Sequence, residues 1–523
     1  MLPFINQAFH WDDRDFVADA QVLARNPLQF HQINYSYGGR FFAKFPFHHP
    51  PLLAMYLSLI IRLAGRISKI LFHLGYIVFP LIAVISMYAL ARRFTRIPLI
   101  AALLLAFSPG FLIMAHTVMG NVPGIAFWLA GMAFFVWGVD YNRWMWLLTG
   151  GLLMGVTFLT VAQAVSLVPI AFAYALIRRR LGLRIFISLT VPLIIYFAWR
   201  YYIEARYGHA PGISYNVMFN RSISFRSILA YLGETIIFAP ALIAVFAHKK
   251  YDLLAAFIAL PPLVTWAVIS RIGAGGLTLS QGLQLAVLVS AAFLLLYQLV
   301  SRGTADLINW FAKRPVRGDR LFLLIWVMGV LAIYLGSSIT YVSTRHILPL
   351  FAPVILLFVM EAEQMWPMRP RLRTAFIAAA LALTLALALG GAIADFRLAN
   401  SERATAAELG RRLAKAPGKH WVLDEFDFRY YMEKQGFTYL SGHSVARSGD
   451  IVVSSKIDAK GVVGTLPAGY HTVLWRQQVN DSYPVRTMNI WAGGGFYGDP
   501  MGPLPIAFST SKLDEITVSQ LKW

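Results

Sequence analysis

Long, uninterrupted apolar runs dominate the chain up to about residue 395, with polar positions gathered into short breaks between them. A helix that crosses ~30 Å of hydrocarbon needs ~20 mostly apolar residues. On that criterion the pattern predicts about twelve transmembrane helices, with cores near 70–91, 97–115, 121–139, 144–161, 163–177, 185–203, 227–247, 252–270, 278–300, 321–341, 346–361 and 374–394. The stretch 144–177 holds two crossings only if it turns near Thr160–Gln163. The runs do not alternate and no period recurs, which excludes a β-barrel and a soluble repeat array. Beyond residue 400 the pattern changes. Ser401 is placed to cap a helix reaching about Ala416, and short β-like runs follow at Trp421–Leu423, Ile451–Val453 and Thr472–Trp475.

Composition agrees. The 523 residues are 58% hydrophobic and 14% charged, with a mean hydropathy of +0.59. A soluble domain is ~45–50% apolar and ~25% charged. The predicted fold is an all-α polytopic membrane protein with a small C-terminal extracytoplasmic α/β domain. The net charge of +21 would suggest nucleic acid in a soluble protein. Here the basic residues fall in alternate loops: Arg92, Arg93 and Arg96; Arg143; Arg178–Arg180 and Arg184; Lys249 and Lys250; Arg302 to Arg320; Arg369 to Arg373. The intervening loops carry only Arg206, Arg221, Arg226, Arg271 and Arg345. The positive-inside rule places the first set in the cytoplasm. The charge is therefore mainly topological. Three zones follow: an extracytoplasmic loop with interfacial helices over 1–69, a multi-pass domain over 70–395, and an extracytoplasmic domain over 396–523. Residues 1–20 have neither a basic n-region nor an apolar h-region, so the pattern predicts a further transmembrane helix ahead of them, the alternative being that helix 70–91 draws a short N-terminal tail across. With no cysteine there is no disulfide, cysteine nucleophile or thiolate metal site.

Carboxylates are scarce, at 25, so their clustering is informative. Asp12, Asp13, Asp15 and Asp19 lie together in HWDDRDFVAD, followed by RFFAKFPFHHPPL with Arg40, Lys44, His48 and His49. An acidic loop beside a basic, histidine-bearing loop suits transfer from an anionic lipid. A carboxylate takes the proton of an attacking hydroxyl, and cations neutralise the departing phosphate. Composition alone leaves open the plainer reading, a solvated loop in which Asp12 or Asp13 caps a helix. Tyr341, Arg345 and His346, in YVSTRHILPLFAP, form a second constellation, suited to a lipid phosphate or to snorkelling at the interface. Glu234 is an intramembrane carboxylate or an interfacial one, and Asn121 reads as an N-cap. Trp128, Phe134, Phe135, Trp144 and Trp146 read as helix-core and interfacial anchors. There is no HExxH, no G-x-S-x-G and no phosphate-cradling glycine loop. No cofactor is identified, no metal-ligand set stands out, and dependence on a divalent cation is open.

Four stretches in order resemble motifs of the GT-C glycosyltransferases: WDD (Trp11–Asp13), HHPPLLAMY (His48–Tyr56), MGNVPGIAFWLAGMAFF (Met119–Phe135) and TRHILPLFAPVILL (Thr344–Leu357). With ARRF (Ala91–Phe94), the resemblance runs from residue 11 to about 395 and is strongest to the bacterial branch related to dolichyl-phosphate-mannose protein mannosyltransferases, family 39. The lipid A aminoarabinose transferases are cousins. The resemblance implies an inverting transferase that uses a polyprenyl-phosphate-linked sugar. By position, Asp12 matches the catalytic base and Asp13 the second acid, which orients the acceptor or Asp12. His49 falls where the aminoarabinose branch has a phosphate-binding lysine, and Arg345 matches the late arginine. Arg345 and Lys44 are then the expected phosphate partners. Asn121 stands where the family usually has aspartate. A neutral imidazole at His49 does not replace a cation unless its pKa is raised toward neutral pH. The ending GGGFYGDPMGPLPIAF (Gly493–Phe508) is similar to tails of the same branch, and its glycine-rich loop is a candidate to fold back over the site.

The expected protein is a polyprenyl-phosphate-sugar-dependent glycosyltransferase of a bacterial cytoplasmic membrane, acting at the outer face on a protein, lipid or glycan acceptor. Its partners are the lipid-linked sugar and membrane lipids, with no nucleic acid. The alternative is a flippase for lipid-linked saccharides. Transporters place ionisable groups near the midplane of repeated halves, whereas these helix centres are nearly free of charge.

Overall fold

The computed structural model describes residues 1–29, 32–33, 36–37, 40–41, 45–46, 49–207, 225–235, 278–315, 317–336, 343–364, 370–424, 426–440, 444–457, 466 and 469–522. Most apolar runs become helices close to their expected positions. Lys69–Tyr76 and Val78–Phe94 form the first nearly continuous span. Asn121–Tyr141, Leu183–Tyr207, Leu279–Phe311 and the apolar part of Pro370–Leu413 are also long and apolar enough to cross a membrane. Shorter helices fill the space between them, including Pro98–Phe107, Pro109–Met114, Gly318–Gly336 and Thr344–Gln364. The stretch 144–177 does turn where its sequence demands. Trp144–Phe158 ends, a 3₁₀ turn runs from Ala162 to Ser166, and Leu167–Ile177 follows. At 11 residues the last helix is about 16 Å long, short of a full crossing by itself. The expected span 252–270 and most of 227–247 lie outside the described residues.

Leu183–Tyr207 shows why these helices need lipid. Leu183 is 75% exposed, and Phe186, Ile194, Phe197 and Tyr201 continue the apolar face along the helix. A face of that extent needs an apolar solvent. Asn121–Tyr141 is the opposite case, buried along most of its length between Val78–Phe94 and Trp144–Phe158. Small residues allow that approach: a Cβ on Gly150 would stand 2.8 Å from the Phe135 backbone nitrogen. The chain is a multi-pass membrane protein.

Charged residues collect at both ends of the bundle. At one end the Arg93 guanidinium bridges Asp140 and Asp319, with 3.0 Å from Nη2 to Asp319 Oδ1, and Arg178 Nε donates to Asp140 at 3.0 Å. All four side chains sit at helix ends that the basic-loop pattern groups on one side. The termini carrying Asp12, Asn121 and Arg345 gather elsewhere, at the site described below.

The N-terminal region forms helices Asp13–Arg25 and Leu52–Ala64, which pack on each other, with two short strand pairs between them. Arg62 ties the pair by donating to the carbonyls of Leu23 and Ala24 at 2.9 and 3.0 Å. Leu53, Ala54 and Leu57 are buried while Leu59 and Leu63 are exposed, so the helix has one covered and one open apolar face.

The C-terminal region carries a five-stranded sheet in the order Thr438–Tyr439, His420–Val422, Ile451–Ser455, Asp514–Leu521, His471–Val479. His420–Val422 pairs in parallel with both neighbours, and Asp514–Leu521 pairs antiparallel with both of its own. The expected helix start at Ser401 is corrected. The helix Pro370–Leu413 is continuous, and the Ser401 hydroxyl donates back to the Leu398 carbonyl at 2.7 Å instead of capping. Its second half buries Ala406, Leu409 and Leu413 against Val422, Phe428, Met432, Val453 and Val518.

Candidate active site

Helix Asp13–Arg25 begins directly after the WDD motif, and the positions of its acids separate their roles. Asp12 occupies the N-cap position but makes no capping hydrogen bond. Its carboxylate instead accepts from Arg345 Nη1, joining the first loop to the first turn of Thr344–Gln364. Asp12 is 8% exposed and Arg345 9%. His49 Nε2 lies 4.0 Å from Asp12 Oδ2, and its ring stacks on Phe16 with centroids 4.5 Å apart. The structure thus brings three expected residues together: Asp12, His49 and Arg345.

Asp13 turns inward. Fully buried, it accepts from the backbone N–H of His10 at 2.9 Å and of Val118 at 2.8 Å. Burial pushes its pKa well above the usual carboxylate range, against those donors and the charge of His10. Asp13 is thereby a brace between the first loop and the loop ahead of Asn121. Trp11 has φ of +50°, in the left-handed region that bulky residues avoid. Its ring is held by Phe426 at 4.6 Å and Tyr497 at 5.7 Å. Backbone strain next to Asp12 is sustained by this packing. Trp11→Ala is expected to cost about 3–5 kcal/mol, read as a fall in Tm. Trp11→Phe should recover most of that loss, because the indole N–H has no hydrogen-bond partner among the described residues.

The position of Arg345 follows from its own sequence. Ser343 Oγ and Thr344 N both donate to the Phe496 carbonyl at 3.2 Å, and Thr344 Oγ1 donates to Glu234 at 2.8 Å. Pro349, one turn on, lacks the N–H that would bond the Arg345 carbonyl. Asn121 Nδ2 approaches that carbonyl at 3.5 Å. Asn121 is therefore not the expected N-cap: Gly120 holds that place, and the asparagine is the first helical residue. An aspartate there would have no hydrogen to offer the carbonyl. Glu234 ends helix Phe225–Glu234, fully enclosed. The glycine-rich loop lies against the motif through Tyr497 on Trp11 and Phe496 on Thr344.

Among the other expected residues, His346 is in place and half-buried, its ring 6.5 Å from that of Tyr334. Arg40 sits in the strand Arg40–Phe41 paired with Ser36–Tyr37, and its side chain lies outside the described residues. Lys44, His48 and Tyr341 lie outside them altogether.

A set of residues absent from the sequence reading adjoins this loop. His10, completely buried, has Nε2 3.4 Å from Asp395 Oδ1 and Nδ1 3.1 Å from Asp427 Oδ2 and 3.7 Å from Glu402 Oε2. Asp395 also accepts from Gln7, Thr487 and Tyr497 at 3.3, 3.1 and 2.9 Å. Burial disfavours charge on His10, but Asp395 and Asp427 outweigh it and hold its pKa well above the ordinary value. Only His10, next to WDD, had a local signal.

Residues 48–202 match the family model described as dolichyl-phosphate-mannose-protein mannosyltransferase. The protein is similar to that family. The matched segment contains His49 and Asn121, whereas Asp12 and Arg345 lie on either side of it. No curated protein matches the sequence. Among solved structures, the chain is similar to ArnT from Cupriavidus metallidurans bound to undecaprenyl phosphate, at 16% identity over 86% of this chain and 90% of that one, with a TM-score of 0.43. It is also similar to the oligosaccharyltransferase AglB from Archaeoglobus fulgidus in complex with an inhibitory peptide and a dolichol-phosphate, at 15% identity over 84% of this chain and 57% of that one, with a TM-score of 0.44.

Proposed function

We propose that the protein is an inverting membrane glycosyltransferase that moves a sugar from a polyprenyl-phosphate-sugar to an acceptor hydroxyl at the outer face. The observation that carries this reading is the buried Asp12–Arg345 pair, which sets a carboxylate and a guanidinium at one place beside the bundle. The family match over residues 48–202 supports the same class.

In this reading the acceptor oxygen attacks C1 of the sugar while the C1–O bond to phosphate breaks on the opposite face. The acceptor proton passes to Asp12, and the bonding pair leaves with the lipid phosphate. The phosphodiester carries one negative charge before the step and a second develops as it leaves, so a cation at the leaving oxygen helps most in the transition state. Arg345 fills that role once the donor phosphate displaces Asp12 from it. The exchange frees the base and neutralises the leaving group in one movement. Asp12 is the base rather than Asp13, because Asp13 is sealed from any acceptor and already holds two backbone donors.

The test is release of free polyprenyl phosphate by the purified full chain in detergent, offered polyprenyl-phosphate mannose, glucose and arabinose in turn. Release from one donor, lost in Asp12→Asn, supports the transferase and names the sugar. No release from any donor, with labelled lipid crossing the bilayer of a proteoliposome, would replace it with the flippase.

A further inference from the structure

The His10 cluster lies outside the chemistry just described, and its charge does not balance. Three carboxylates, Asp395, Glu402 and Asp427, surround one imidazole. Among the described residues no lysine or arginine pairs with any of the three, and Glu402 and Asp427 are 4% and 1% exposed. One imidazolium offsets a single charge; burial, which raises the Glu402 pKa well above the usual carboxylate range, favours a proton on that carboxyl but still leaves Asp395 and Asp427 to share the imidazolium. Burying the remainder without a cation is costly. Two oxygens are left over as well: Glu402 Oε2 and Asp427 Oδ1 are buried with no hydrogen-bond partner among the described residues.

We infer that His10, Glu402 and Asp427 form a structural site for one divalent transition-metal ion, Zn²⁺ by the chemistry of its donors. One ring nitrogen and two carboxylate oxygens make a mixed N/O set of the kind zinc accepts. Their spacing fits. Ligands about 2.1 Å from a tetrahedral ion stand about 3.4 Å from one another. Here Nδ1 of His10 is 3.1 Å from Asp427 Oδ2 and 3.7 Å from Glu402 Oε2, and donor atoms of all three residues lie within 4.8 Å of one another. The far side of the ring completes the pattern. Nε2, buried and without a hydrogen bond among the described residues, lies 3.4 Å from an oxygen of Asp395, which is itself fixed by Gln7, Thr487 and Tyr497. A carboxylate behind a ligating histidine fixes the tautomer and raises the basicity of the other nitrogen. The ion joins the first loop, the long last helix and helix Asp427–Lys434, three segments distant in sequence. Because the site is closed to solvent, its work is to hold His10, and through it the loop carrying Asp12.

The proposal is independent of the reaction assigned above and is tested without it. The full chain, loaded with Zn²⁺ or Mn²⁺ and desalted through a weak chelator, is analysed for metal by mass spectrometry. One equivalent per chain is expected in the wild type, and less than about a tenth in Glu402→Gln and in Asp427→Asn. Stripping the wild type with a strong chelator should lower its Tm, and Zn²⁺ should restore it. If the variants do not fold, the wild type decides alone: Co²⁺ should enter at one equivalent, with visible absorption that Zn²⁺ abolishes by displacing it. No retained metal in the wild type overturns the proposal, leaving the residues as a network around an imidazolium. Equal retention by wild type and folded variants overturns it too, by placing the metal at other histidines.

Discussion

Asp12→Asn leaves the site its shape and removes its base, and turnover is expected to fall by about 10²–10⁴-fold. The same substitution takes from Arg345 the carboxylate it is paired with. A donor phosphate then no longer competes with that carboxylate for the guanidinium. Binding of polyprenyl phosphate should therefore be unchanged or tighter while turnover collapses, a split that loss of folding does not produce. Titrating lipid into wild type and variant while following single-turnover transfer measures both quantities. Retained turnover would move the base to another group. Loss of binding together with turnover would make Asp12 a purely structural residue.

Arg345→Ala is expected to act in the opposite sense, raising the donor KM at least tenfold with little change in the acceptor KM. Its loss of leaving-group stabilisation should lower kcat by about 10²–10³-fold. It also leaves Asp12 buried without its cation, and breaking such a pair costs about 3–5 kcal/mol. A fall in Tm is thus expected and has to be separated from catalysis. The double substitution Asp12→Asn with Arg345→Gln removes both charges, so its Tm should lie above that of Arg345→Ala while activity stays absent. Arg345→Lys keeps the charge but not the planar fork and should fall between. A raised acceptor KM with an unchanged donor KM would contradict the assignment to phosphate.

The helices were legible because an apolar run of membrane-crossing length has few alternatives, and the turn near Thr160 was legible because the run was too long for one crossing. The C-terminal strands at Trp421, Ile451 and Thr472 were found from short β-rich runs. Asp514–Leu521, the centre of that sheet's antiparallel half, was missed because DEITVSQL carries five polar positions against three apolar ones. Asp12, His49 and Arg345 stood out as residues, but a pairing across 333 positions has no local signature. The same limit hid the His10 cluster, whose members His10 and Asp427 lie 417 positions apart. Glu402 gave no warning either, since an acid on a polar helix face is unremarkable until the first loop and helix Asp427–Lys434 bring His10 and Asp427 to it. The helix start expected at Ser401 failed for a different reason: a serine fits an N-cap and the interior of a helix alike, and only its hydroxyl partner tells them apart.

The helix Pro370–Leu413 runs unbroken for 44 residues, about 66 Å, from an apolar half into the core of the C-terminal sheet. Its Gly390–Gly391 pair is no joint, for a Cβ on Gly391 would come within 2.5 Å of Ile113, so glycine there admits a neighbouring helix. The C-terminal domain is consequently mounted on a stiff mast rather than hung from a tether. It cannot swing aside as a lid does; any tilt of the mast in the bilayer is carried to Glu402 and to the loops around Trp11 as one motion.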